Sequence, residues 1–175
     1  MTEHRPGRSA SQDEAALDAI ERVVRSVTSA CDAEKVPAGI GLYAVLHAAL
    51  AIMRAQRADL DRAELYRLAR EYMTAVPSLA GELPTDAFLE EHVERAAMLD
   101  ANATSIERAA LMIVRAALNA NADPGPTITA LMMVAMMVVP PPGAFVALEG
   151  LRRYRDKFES LRPLPTDVRD IRASN

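Results

Sequence analysis

Tryptophan is absent from this chain, and nine methionines outnumber tyrosine and phenylalanine together. Flexible aliphatic side chains, not aromatic plates, must therefore fill its interior. Cysteine occurs once, at Cys31, which excludes an internal disulfide and fits a reducing compartment such as the cytoplasm. Seven glycines are few for a protein built around phosphate-cradling turns, and no Gly-rich phosphate loop, nucleophile elbow or Cys-His metal spacing is present. Lysine is confined to Lys35 and Lys157, so arginine carries almost all the positive charge. Together with abundant alanine, this points to a GC-rich bacterial genome. Positive charge in excess is also missing. A net charge of −4 argues against general binding to nucleic acid, which needs a basic face to displace counterions. The first ten residues are polar with no apolar core behind them, so no secretory signal is read there.

Half of the 175 residues are hydrophobic and a quarter are charged, as in an ordinary soluble domain. Ala, Leu, Met, Arg and Glu dominate, and these lose little side-chain entropy in a helix. The balance predicts an all-α fold. Two segments are apolar on every side at helical spacing: Ile40 to Met53, and Thr127 to Val139, the latter stopped by Pro140, Pro141 and Pro142. Neither run reaches the ~20 residues of a membrane-spanning helix, so both are expected inside a bundle.

Helix starts are legible. Ser11 to Glu14 and Thr104 to Glu107 fit the capping box, Asp61 to Glu64 is its acidic variant, Thr85 follows Pro84, and Pro126 suits a first turn. These signals predict seven helices near 11–34, 38–56, 60–74, 86–100, 104–121, 126–139 and 143–161, forming one domain over 11–161. Tails at 1–10 and 162–175 flank it. The two central apolar helices, 38–56 and 126–139, are wrapped by amphipathic ones. The first helix carries the stripe Leu17, Ile20, Val24, Val27 and Cys31. Sliding the chain by 86 residues lays Ile20, Glu21 and Arg22 on Ile106, Glu107 and Arg108, Gly39 on Gly125, and Ala44 and Ala49 on Ala130 and Ala135. Duplication of a three-helix unit, with halves 11–76 and 86–161, would give this match. So would chance in an alanine-rich chain.

The candidate contact residues fall in three groups. Met132, Met133, Met136 and Met137 could line a groove for apolar helices or hold Cu(I) through paired thioethers, but no polar edge and no nearby Cys or His supports either, and core packing is the plainer reading. Tyr43 and His47 share a helix face and could anchor a small ligand or pass a proton; more often such residues border a core. Arg152, Arg153 and Arg155 form the basic cluster, diluted by Asp156 and Glu159, and salt bridges are its plainer use. Glu90, Glu91 and Glu94 read as a solvated face, and the Glu-x-x-His motifs of a di-metal bundle are missing.

The expectation is a non-enzymatic, cytoplasmic helical module, without cofactor, metal or catalytic residues, that binds a protein partner or itself. Nucleic acid and membrane are not the expected partners. A ligand-sensing regulator with a pocket at Tyr43 and His47, and a membrane-active helical protein, are the alternatives.

Overall fold

The computed structural model describes residues 10–75, 84–95 and 99–153. They form seven α-helices: α1 (Ala10–Ala33), α2 (Ala38–Gln56), α3 (Arg62–Thr74), α4 (Asp86–Arg95), α5 (Leu99–Asn119), α6 (Pro124–Val138) and α7 (Pro141–Arg153). The all-α bundle expected from composition is what forms. Most of the predicted N-terminal tail, residues 76–83, and the segment from 154 onward, with the predicted C-terminal tail and Arg155, lie outside the described residues.

Several starts follow from their caps. The Asp61 carboxylate accepts a hydrogen bond from the Glu64 N–H at 2.8 Å, and the Thr85 hydroxyl accepts one from the Phe88 N–H at 3.2 Å. Pro124 occupies the first turn of α6, where its missing N–H leaves nothing unsatisfied. Helices α2 and α4 start where expected, α1, α3, α6 and α7 within one or two residues of it, and α5 five residues early. Helix α5 begins at Leu99, so Thr104 to Glu107 lies inside it and caps nothing; apolar positions upstream let the helix run through that signal. Helix α1 already includes Ala10, which puts Ser11 within its first turn.

Helices α2 and α6 pack on each other at the centre. Helix α5 lies on α2, and α1 lies on both α5 and α6. Small residues allow the close approach: Ala44, Ala48 and Ala49 on α2 and Ala130 and Ala135 on α6 are buried without exposure. The Ser26 hydroxyl donates to the Ala116 carbonyl at 2.8 Å and ties α1 to α5. At the other side, α3 packs on α6 and α7, and α4 packs on α7. Helix α2, at 19 residues, is long and apolar enough to cross a membrane, yet half of its apolar window is buried in the bundle.

Local features recur 86 residues apart. The only described non-glycine residues with positive φ are Lys35 (51°) and Asn121 (52°). Each closes a helix in the left-handed conformation, with the Lys35 N–H bonded to the Asp32 carbonyl and the Asn121 N–H to the Leu118 carbonyl, both at 3.1 Å. Helices α1 and α5 end at Ala33 and Asn119, and α2 and α6 start at Ala38 and Pro124, with the same spacing. Within them, Leu42, Val45 and Leu46 are buried, as are Ile128, Leu131 and Met132. The packing exchanges in the same sense: α1 lies on α6 as α5 lies on α2, and α3 meets α6 as α7 meets α2. The register then breaks. Helix α6 is shorter than α2 and its link to α7 is tighter, so α3 and α7 start 79 residues apart, not 86.

Candidate functional site

A cleft of about 490 Å3 lies where α3, α4 and α7 meet. Its floor is apolar: Leu89, Phe145 and Leu148 are each buried and line it. The walls are charged. Arg67 and Arg70 come from α3, Arg152 and Arg153 from α7, and Asp86 and Glu90 from α4.

Helical spacing holds these groups in place. Arg67 Nε bonds Glu64 at 2.8 Å, and its guanidinium also pairs with Glu71 one turn on. On α7, Glu149 receives Arg152 Nε at 2.9 Å and Arg153 Nε at 2.9 Å. The Glu149 side chain is only 17% exposed. Burial works to raise its pKa, but the hydrogen bonds from Arg152 and Arg153 more than offset this and hold the carboxyl below its usual range. Glu64 is held low by its hydrogen bonds from Arg67. The Tyr66 hydroxyl donates to the Leu151 carbonyl at 3.1 Å, joining α3 to the end of α7 and setting the width between the two arginine walls. Among the described residues, Arg70 forms no ion pair and so stands available.

Of the residues singled out in the sequence, Arg152 and Arg153 reach this cleft. Met132 and Met136 do not: both are buried in the core, because α6 is enclosed on most sides. Met133 is half-buried, and Met137, at 60% exposure, is the one member of the row on the surface. Tyr43 and His47 are half-buried on α2 and line neither this cleft nor the smaller one beside Cys31. Burial pushes the Tyr43 phenol up; burial also lowers His47, with Glu107 acting the other way. Among the described residues, no three His, Cys, Asp or Glu side chains gather as a metal site would need.

Sequence reading missed Tyr66, Arg67, Arg70 and Phe145. The three-residue spacing of Arg67 and Arg70 on one helix face was available as a signal, but nothing in it says that α7 brings a second arginine pair alongside. Comparison with protein-family models, curated proteins and solved structures finds no match to this chain.

Proposed function

We propose that this chain is a non-enzymatic protein-interaction module, and that its α3–α4–α7 cleft takes an amphipathic peptide segment bearing carboxylates. The observation that carries this reading is an apolar floor of Leu89, Phe145 and Leu148 flanked by four arginines on two helices. Such a cleft offers apolar side chains a dry seat and offers carboxylates a guanidinium on either wall, the pairing arginine forms best. Arg67 pairs with the exposed Glu64 and Glu71, and exchanging one such surface pair for another costs little, whereas Arg152 and Arg153 share the mostly buried Glu149. Asp86 and Glu90 on the α4 wall add a polarity that would orient the segment. A cytoplasmic setting fits a chain with a single cysteine.

A labelled peptide with leucines at helical spacing and glutamates between them is the probe. It should bind saturably at low salt and weaken as salt screens the arginines. The double variant Arg70→Glu, Arg152→Glu should weaken it by about tenfold or more, corresponding to ~1.4 kcal/mol, while Arg22→Glu on α1 leaves it unchanged. Equal binding by all three proteins, or none at low salt, would sink the reading.

We also infer that the chain descends from a tandem duplication of a three-helix unit. The matched left-handed residues, helix ends and buried positions at 86-residue spacing support it. In that reading the cleft is built by α3 and α7, the matched last helices of the two halves, with α4, which has no counterpart in the first half, packed on α7. Relatives poorer in alanine offer the check: an 86-residue self-match that vanishes in them would count it as composition.

A further inference from the structure

Of the apolar stripe of α1 that the sequence marks for burial, the bundle fully covers only Val27. Ala19, Val23 and Val27 face the core, whereas Leu17 stands 66% exposed and Ile20, Val24 and Cys31 are only half-buried. At the positions 86 residues on, in α5, Ile106, Ala110 and Ala117 are all buried. One half of the chain covers this face, apart from the half-buried Ala103; the other leaves Leu17 exposed and Ile20, Val24 and Cys31 packed at the edge of the core.

Toward its C-terminal end this face of α1 borders a second cleft, of about 280 Å3, between α1, α2 and α6. Its wall is mainly aliphatic, with Val36, Val45, Val134 and Val138 around Thr28 and Cys31. At the matching positions of the other half, Leu131 stands for Val45, Thr127 for Gly41 and Leu118 for Asp32, while Ala117 stands for Cys31 and Ala122 for Val36. Leu17 and Thr28 are three helical turns apart, so they lie on one face of α1 with about 16 Å between them. An exposed aliphatic knob and an aliphatic hole therefore share one helix face.

We propose that two copies of the chain meet on this face, about a twofold axis crossing α1 near Val23 and Val24, with Leu17 of each copy seated in the cleft beside Cys31 of the other. A knob and a hole on opposite sides of one centre are what a self-complementary, isologous contact requires. One pair of charges agrees with the same axis, and another, Glu14 opposite Asp32, works against it. The exposed pair Glu21 and Arg25 straddles Val23, so the twofold sets Glu21 of each copy opposite Arg25 of the other. The contact covers the most exposed large apolar side chain described, with Ile20 and Val24 at its centre. It lies on α1, apart from the peptide cleft, and does not depend on that reading.

The chain's single cysteine makes the test direct. In the Leu17→Cys variant, the new thiol of one copy should face Cys31 of the other. Burial, and then Asp32, hold the Cys31 thiol above the usual range, so oxidation with diamide is best run at mildly alkaline pH. The expected product is a covalent dimer and nothing larger, with peptide mapping joining position 17 to Cys31; adding Cys31→Ser removes that link. Sedimentation of the unaltered chain at about 100 μM should show a dimer. Leu17→Glu should weaken it at least about tenfold with helical circular dichroism unchanged, since the residue is exposed in the single copy. A monomeric unaltered chain, a ladder of oligomers, or a bridge formed only between the two position-17 thiols overturns the proposal.

Discussion

Lys35 holds a left-handed conformation that brings its β-carbon against the following carbonyl, a position that costs a lysine about 1 kcal/mol and a glycine nothing. It is kept because the motif satisfies two helix-end carbonyls, Asp32 and Cys31, through the Lys35 and Val36 N–H groups. Lys35→Gly should therefore raise stability by roughly 0.5–1 kcal/mol, read as a higher urea midpoint at unchanged slope. A midpoint that stays put or falls would mean the turn is not strained. Asn121→Gly should gain less, because asparagine already tolerates this region. His47 supplies a second residue-scale test. Burial lowers its pKa and Glu107 only partly opposes this, so the folded chain favours the neutral ring. The unfolded chain then binds more protons below the ordinary value of about 6.5, and stability falls as pH drops through that value toward the folded pKa. The slope is at most ~1.4 kcal/mol per pH unit for one group. Denaturation between about pH 7 and 5 should show this loss, and His47→Met should flatten it. An unchanged slope in the variant would assign the pH dependence to other groups.

At the scale of the helix, periodicity and capping made much of the fold legible before any coordinates. Helix α2 runs over Ala38–Gln56 as its apolar spacing indicates, and α5 buries Ile106, Ala110, Ile113 and Ala117 at helical spacing. What could not be read is which of two stripes a neighbour would choose. On α1 the expected stripe is Leu17, Ile20, Val24, Val27 and Cys31, but the bundle takes Ala19, Val23 and Val27, sharing only Val27 with it, and these smaller side chains let α1 approach α5 and α6 closely. The expected start of α5 failed for a related reason. A capping box marks a place where a helix can begin, and at Thr104 continuous helical propensity upstream overrode it. The cleft was less legible still. Arg152 and Arg153 stood out as charge, yet their meeting with Arg67 and Arg70 depends on how α3 crosses α7, a tertiary fact with no local trace. The methionine row shows the converse. Its lack of a polar edge was enough to place Met132 and Met136 inside, while Met137 emerges only because α6 ends there.

Taken whole, the packing interlocks the two halves of the sequence. Helix α1 rests on α5 and α6 from the other half, and α2 rests on α5 and α6 as well, so neither half has a private core of any size. Val27 of one half and Ile113 of the other belong to a single contiguous cluster of buried residues. Removing the second half would expose both faces of α2, where Leu42, Val45 and Leu46 are fully or almost fully buried. Duplicated units that were merely strung together would instead keep separate cores and separate stabilities. The interlock predicts one cooperative unfolding event. Val27→Ala and Ile113→Ala, one in each half, should each lower the same transition, by roughly 2–4 kcal/mol for the larger deletion and less for the smaller. In calorimetry the measured and van't Hoff enthalpies should agree for the parent chain and for both variants. Two resolved transitions, with each substitution moving only its own, would show that the halves stand alone and that the shared core contributes little.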